Sequence, residues 1–419
     1  MSENFLYLPE KTISLKVFEE TLAATKNLFK THRTILVKSK NLLNLYASIL
    51  AAKDLGISLY VCPSSLSDEQ VKKLAINWSG SVYFGEKSVE TLIEEKENKI
   101  PYLGIFTSAT TGEPKIALHR WESIESSSHF VPQELHRQKW LLSYAPWGYA
   151  GLQVFFSAWN SHGSIYFRAV QFKDICQDIV KYSVTVVSAT PTFWKMLIGA
   201  WPPDLKVPSL LQATLGGEIV DQSIIDLIDA FFHPRHLTHI YASTEAGTAI
   251  IVSDRLAGFP LSALEKHSKN GVKLRIIEDE LQVLSSVGME NYAEEAQPKI
   301  GEWIKTGDLV QKKEGRVYFL GRTDGRINIA GRKVCPEEVE QALNSLDYVE
   351  DCLVYEKKSP IVGNLIAADV VIKDSEQFNP IEIKQKLKKL LEEYKIPHII
   401  RRVDHFAISS TGKKIRTSP

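Results

Sequence analysis

Between residues 16 and 84 the chain alternates, element by element, between helical and extended patterning, and few folds accept such an alternation. A helical stretch from about Lys16 to Phe29 precedes the β-rich Thr34–Lys38. A second, Leu42–Leu55, precedes Leu59–Cys62, and a polar one, about Ser67–Ile76, precedes Ser81–Phe84. Strands this short and this continuously apolar must be covered on both faces, which predicts a parallel sheet flanked by helices, an α/β arrangement. Nothing in residues 1–100 carries recognisable chemistry. At 419 residues the chain exceeds one simple core, so two or three domains are expected.

The first chemistry follows the apolar run Tyr102–Phe106. Thr107-Ser108-Ala109-Thr110-Thr111-Gly112-Glu113-Pro114-Lys115 gathers hydroxyls, one glycine and one ammonium at a turn leaving a strand. Such a turn offers many donors in a small concave space, which suits a polyphosphate. The same composition also suits a solvated Ser/Thr loop. No Gly-x-x-x-x-Gly-Lys-Ser/Thr occurs anywhere, so a P-loop GTPase or kinase-like ATPase is not supported.

Three later stretches bear on that choice: Tyr241-Ala242-Ser243-Thr244-Glu245, then Thr306-Gly307-Asp308 with Gly321-Arg322-Thr323-Asp324-Gly325-Arg326-Ile327, and Thr411-Gly412-Lys413. In this order and at these intervals the chain, from about residue 102 to its end, resembles the adenylate-forming superfamily of acyl-CoA synthetases, non-ribosomal adenylation domains and luciferases. The family pattern reads Ser/Thr-Ser-Gly-Thr-Thr-Gly-x-Pro-Lys, Tyr-Gly-x-Thr-Glu, Thr-Gly-Asp, Gly-Arg-x-Asp-x-x-Ile-Lys and a terminal Gly-Lys.

The resemblance implies an α/β fold: a large N-terminal domain of stacked, mostly parallel sheets with helices plus a small antiparallel subdomain, and a mobile α+β C-terminal lid. The expected domains are 1–323, with a lead-in that looks trimmed as in compact o-succinylbenzoate-CoA ligases, and 324–419. The expected reaction is ATP-dependent activation of a carboxylic acid to an acyl-adenylate with Mg²⁺, followed by transfer to a thiol, CoA or a carrier-protein phosphopantetheine. Amide formation on an amine acceptor and a non-catalytic nucleotide- or acyl-binding relative are the alternatives.

Carried residue by residue, the resemblance places Thr107, Ser108, Thr110, Thr111, Gly112 and Lys115 on the phosphates. Glu245 becomes the Mg²⁺ ligand, its carboxylate being a hard oxygen donor, with the Thr244 hydroxyl on phosphate and the Tyr241 ring near the purine. Asp308, with Arg322, is expected on the ribose hydroxyls. Gly216-Gly217-Glu218 matches the segment against adenine and acyl group; by itself Gly-Gly is a turn whose missing Cβ atoms permit close approach. Lys413 matches the catalytic lysine of adenylation, with Lys414 one residue out of register. Asp324 matches the hinge, although Thr-Asp-Gly-Arg also reads as a plain β-turn. Gly331 matches the glycine beside the thiol path.

The acid is expected near Trp147, Tyr149, Gly216 and Ala242, in a pocket completed by Thr192, Phe193 and Leu215 whose apolar, partly aromatic character favours aryl or medium acyl groups. Gly148 stands where relatives carry a histidine. Trp147 or Tyr149 fills that role, or both are core aromatics. No aspartate stands where amino-acid-activating relatives hold the substrate amine, which disfavours an α-amino acid. Ala109 and Ala242 replace family glycines, and Asn328 replaces a lysine; the two alanines are harmless only where positive φ is not needed.

Fifty basic and fifty acidic residues cancel, leaving no electrostatic case for nucleic acid. No run of 18 apolar residues occurs and Met1–Asn4 does not resemble a leader, so the expectation is a cytoplasmic protein without a membrane span. Cys62, Cys176, Cys335 and Cys352 lie far apart without metal-ligand spacing, which predicts idle buried thiols in a reducing compartment and no structural zinc.

Overall fold

A computed structural model describes residues 3–85, 88–94, 100–107, 115–126, 128–169, 171–265, 271–293, 301–329, 331–359, 363–373, 377–406 and 414. Local chemistry sets the first helices. Ser14 Oγ accepts from the Val17 amide at 3.2 Å to start Leu15–Phe29. Asn41 does the same for Leu42–Leu55, which ends at Gly56 in the left-handed region, φ 64°. Ser67 and Gln70 close a capping box ahead of Asp68–Asn77.

Among the described residues the strands between these helices build two large sheets. One runs, in spatial order, Asn291–Tyr292, Ile116–Arg120, Tyr102–Phe106, Ser58–Val61, Thr34–Val37, Ser81–Tyr83 and Glu90–Thr91; its three central pairings are parallel. The other runs Gly247–Val252, His236–Ser243, Gln212–Gly216, Val186–Ala189, Lys139–Leu142, Ser164–Tyr166, Asn4–Tyr7 and Thr12–Ser14. It is parallel except at its two edge pairs.

Helices Leu15–Phe29, Leu42–Leu55 and Tyr149–Asn160 fill the space between the sheets, and residues of both sheets join one apolar cluster with them. Tyr46 and Phe155 stack there with ring centroids 4.0 Å apart, both fully buried. Helices Phe172–Lys181, Pro191–Gly199 and Gln222–Phe232 cover the outer face of the second sheet through Ile175, Trp194, Ile224 and Phe232. The helix-covered parallel sheet expected from the alternation, and the stacking of two such sheets that the resemblance implies, are therefore present.

The small antiparallel sheet is present too, in the order Phe259–Pro260, Arg316–Arg322, Ile304–Lys313, Glu280–Leu284 and Lys273–Ile277. A further apolar cluster draws on Ile327, Val339, Cys352, Ile366, Ile383 and Ile400. The strands Val349–Ser359, Gly363–Ile372 and Ile399–Arg402 and the helices Pro336–Asn344 and Pro380–Leu387 supply it.

One expectation is corrected here. The pattern Ile383, Leu387, Leu390, Leu391, Tyr394 predicts a single helix over 381–394, yet the helix ends at Leu387. Leu390 is left 54% exposed in the turn that follows. The chain instead turns, which carries Lys395 to Glu338 at 2.7 Å and the Tyr394 ring beneath Arg332. Tertiary contacts decide over periodicity.

Candidate functional site

The carboxyl ends of the parallel strands Lys139–Leu142, Val186–Ala189, Gln212–Gly216 and His236–Ser243 lie side by side. In open α/β sheets that edge is where ligands bind. Of the expected site residues, Gly216, Tyr241 and Ala242 lie at this end of the sheet.

Thr244-Glu245-Ala246 is the turn between His236–Ser243 and its antiparallel partner Gly247–Val252. Ser243 Oγ accepts from the Ala246 amide at 3.0 Å, and the Glu245 carbonyl accepts from the Met289 amide at 2.9 Å. Gly247 supplies the positive φ of 72° that closes the turn, while Ala242 does not adopt one, so its methyl costs no backbone strain.

The Glu245 carboxylate is held by a residue that sequence reading missed. Tyr292 donates its hydroxyl to Glu245 Oε1 at 2.8 Å, and the Lys115 ammonium sits 4.7 Å from the centre of the Tyr292 ring. Tyr292 reaches this position because Asn291–Tyr292 pairs antiparallel with Ile116–Arg120, Tyr292 opposite Ala117. An isolated tyrosine in a loop-like stretch carries no local signal, and the strand pairing alone reveals it. Lys115 and Glu245, from the two segments expected on the phosphates, are thereby joined through Tyr292. Thr107 closes the base of the first segment, its amide donating to the Lys115 carbonyl at 2.8 Å. Ser108, Ala109, Thr110, Thr111 and Gly112 lie outside the described residues, as do Thr411, Gly412 and Lys413.

A second cluster forms around Asp308. Tyr241, four residues before Glu245 on the same strand and turn, donates its hydroxyl to Asp308 Oδ2 at 2.5 Å. Arg322 lies opposite Asp308 across the strand pair and donates to Asp308 Oδ1 at 3.3 Å and to Asp324 Oδ1 at 3.0 Å. Thr306 Oγ1 accepts from the Asp308 amide at 3.1 Å, and Gly307, at φ 74°, donates its amide to Glu280 at 2.9 Å. Burial pushes the Asp308 carboxyl above its usual range, the Tyr241 hydroxyl and the Arg322 guanidinium pulling it back only part of the way. The Tyr241 ring stacks on Phe319, centroids 4.8 Å apart.

Gly216 ends its strand beside Ile240, and Gly217 takes φ 83°. A Cβ on Gly216 would sit 3.3 Å from the Ile240 carbonyl. The Glu218 carboxylate caps the neighbouring helix, accepting from the Thr192 amide at 3.0 Å. Tyr144, not expected from the sequence, donates to the Gly216 carbonyl at 3.4 Å.

Of the pocket candidates, Phe193 and Leu215 are packed into the core. Tyr149 is buried as well, while Trp147 is half-buried against the same inter-sheet cluster. The core reading thus describes the Tyr149 ring, although its hydroxyl would touch a Cβ at Gly247, 3.4 Å away, and so points to the Glu245 turn. Gly331 is an exposed hairpin glycine at φ 88°, and Asn328 accepts its amide at 3.0 Å. The asparagine that departs from the family pattern ties off that hairpin.

His119 is a second residue missed at sequence level, its one signal being a lone imidazole in the apolar run Ile116–Leu118. It is fully buried, 5.7 Å from the Tyr149 ring, and among the described residues neither ring nitrogen makes a full hydrogen bond. Burial lowers its pKa to about 4 against a weak opposing contact with the Thr244 main chain. The sign follows: protonation favours the unfolded chain, so stability is complete above the unfolded value and is lost as pH falls toward the folded one. From pH 7 to 5 the loss is expected to be about 2 kcal/mol from this group. Urea unfolding midpoints of wild type and His119→Gln measured at both pH values check it: the variant should show a shallower pH dependence, and parallel dependences would refute the assignment.

Comparison with known proteins places this geometry in context. A family model described as "AMP-binding enzyme" matches residues 29–303, and its companion, "AMP-binding enzyme C-terminal domain", matches residues 338–413. The 3,4-dihydroxybenzoate–[aryl-carrier protein] ligase of Bacillus anthracis is 26% identical over 344 residues, covering 80% of this chain and 78% of that protein. The chain spans 60% of the length of the human mitochondrial acyl-coenzyme A synthetase ACSM1. Among solved structures, the anthranilate CoA ligase AuaEII in complex with anthranoyl-AMP superposes with a TM-score of 0.78 at 14% identity, covering 99% of this chain and 92% of that one. The amide bond synthetase McbA from Marinactinospora thermotolerans does so with 0.74 at 16%, covering 99% and 96%.

Proposed function

The chain belongs to the AMP-binding enzyme family, and from that membership we propose that it activates a carboxylic acid with ATP to an acyl-adenylate and then passes the acyl group to a thiol of CoA or a carrier-protein pantetheine. The observation that carries the reading is two clusters that share the strand His236–Ser243 and the turn after it: Lys115–Tyr292–Glu245, and Tyr241–Asp308–Arg322. One suits the phosphates and the other a nucleoside.

In the first half-reaction a carboxylate oxygen bonds to the α-phosphorus, the α–β bridging P–O bond breaks, and pyrophosphate leaves. Negative charge crowds onto nucleophile, phosphoryl and leaving group, so positioning and fixed positive charge supply most of the catalysis. Lys115 and the hydroxyls of the 107–115 segment hold the β/γ end. Asp308 accepts the ribose hydroxyls in place of the Tyr241 hydroxyl while Arg322 donates beside it, and Lys413 bridges the carboxylate and the α-phosphate. Glu245 fits Mg²⁺: Tyr292 takes one carboxylate oxygen, and no group of three His, Cys, Asp or Glu able to cage a metal exists among the described residues. A hard cation carried on phosphates with one protein carboxylate matches that donor set, and when bound it neutralises the triphosphate. In the second half-reaction a thiol sulfur bonds to the acyl carbon, the bond from that carbon to the phosphate oxygen breaks, AMP leaves, and the thiol proton passes to solvent.

The lid is assigned to residues 324–419 and the body to 1–323, with Asp324 as pivot; the self-contained apolar cluster from Ile327 to Ile400 supports the division. Gly331 lies on the lid face given to the thiol path. Among the described residues no helix is long and apolar enough to cross a membrane, and four buried free thiols support a cytoplasmic setting.

Acid-dependent ATP–pyrophosphate exchange over aryl, fatty and keto acids, repeated with CoA, tests the reading. The expected result is exchange with at least one acid and a thioester when CoA or a pantetheine-bearing carrier protein is added. Nucleotide binding without exchange for any acid would mark a binder, and acyl transfer only to amines would mark an amide synthetase; either outcome overturns the proposal.

A further inference from the structure

Away from the nucleotide clusters, three charged side chains meet almost out of water. Asp351, in the strand Val349–Ser359, places one carboxylate oxygen, Oδ1, 3.2 Å from the Lys195 ammonium and 2.6 Å from that of Lys414. Their side chains are only 15%, 14% and 13% exposed for Lys195, Asp351 and Lys414. Lys414 also donates to the Cys352 carbonyl at 2.8 Å and stands 5.3 Å from the Phe406 ring centre. Lys195 belongs to the helix Pro191–Gly199, one turn beyond Thr192, whose amide is bonded to Glu218 at the candidate acyl pocket. The last residue of that helix meets the same strand: a Cβ on Gly199 would be 3.7 Å from Glu350 Oε1.

We propose that Asp351 is a positioning residue for the adenylation half-reaction, its carboxylate holding the segment that carries Lys413 in working register against the body helix through Lys414 on one side and Lys195 on the other. The proposal rests on the acyl-adenylation reading above and names what positions the lysine that reading requires. Lys413 precedes Lys414 directly in the chain, so its Cα lies one peptide unit from the anchored residue.

The arrangement is also releasable. Two ammonium groups share one oxygen, and only one of them, Lys195, lies in the part assigned to the body. Rotation of the lid separates Asp351 from Lys195 while Lys414 travels with it, and the carboxylate is never left without a cation. That matters because an uncompensated buried charge is far costlier than a broken surface pair. Burial alone would raise the Asp351 carboxyl, but the two lysines outweigh it and hold the group ionised; Asp351 in turn holds the buried Lys195 charged.

The test separates the half-reactions. Asp351→Asn is expected to lower ATP–pyrophosphate exchange at least about tenfold in kcat with KM for ATP little changed, and to leave thioester formation from supplied acyl-adenylate within about twofold of wild type. Lys195→Arg should retain most of the exchange and Lys195→Met should not. An equal fall in both half-reactions, or no change in either, overturns the proposal. Amide hydrogen exchange of the peptide covering 407–419 reads the anchoring without any turnover: it should quicken at least about fivefold in Asp351→Asn while peptides of the inter-sheet core keep their wild-type protection. If wild type shows no exchange chemistry at all, the functional reading fails while a quickened tail still establishes the anchor; a tail indifferent to Asp351 sinks the anchor whatever the enzyme does.

Discussion

Lys413→Ala is expected to lose about 10²- to 10³-fold in acid-dependent ATP–pyrophosphate exchange, equivalent to about 3–4 kcal/mol of barrier, and to retain thioester formation from supplied acyl-adenylate. The asymmetry follows from where charge develops. In adenylation the attacking carboxylate and the α-phosphoryl are both anionic and must approach, so a single ammonium between them lowers repulsion at the transition state and in no later step. Thiolysis of the mixed anhydride is a displacement at acyl carbon with AMP leaving, and it lacks that collision of anions. Measuring the two half-reactions separately decides the matter. If the alanine variant loses both, Lys413 serves the fold or the acyl site rather than adenylation.

Glu245→Gln is expected to cost about 10² in the same exchange assay, with the Mg²⁺ concentration for half-maximal rate raised at least about tenfold. Glutamine keeps the volume and an acceptor oxygen for the Tyr292 hydroxyl, and the turn itself is held without the carboxylate, by the Met289 amide on the Glu245 carbonyl and the Ala246 amide on the Ser243 hydroxyl. What disappears is the negative charge, so the loss reads charge and not collapse. Tyr292→Phe is the companion: it leaves the charge but frees the carboxylate to rotate, for a smaller loss of about three- to tenfold. A Glu245→Gln enzyme with unaltered Mg²⁺ dependence would remove this carboxylate from the metal's coordination.

Much of the architecture was legible in the residues. The alternation across residues 16–84 is local, because capping side chains and apolar runs act within a few positions; hence the helices Leu15–Phe29 and Leu42–Leu55 begin and end close to where their patterns do. The helix over 381–394 was misjudged because Leu390 continues the apolar stripe without being buried. Glu245, Asp308 and Arg322 were legible as a set through ordered motifs. Their mutual contacts were not, nor was Glu218 capping the helix that begins at Pro191.

The amino-acid sequence by itself determined the strand–helix order and the covered parallel sheets, and it named the charged groups proposed for adenylation, since each depends on propensity, capping or a short run of neighbours. Only the tertiary structure decided who holds those groups. Tyr292 meets Glu245 across 47 residues, Tyr241 meets Asp308 across 67, and Lys195 meets Asp351 across 156. A hydrogen bond or ion pair at such separation is set by strand pairing and helix packing, and those are chosen by burial of the whole core, so no local stretch of residues encodes them.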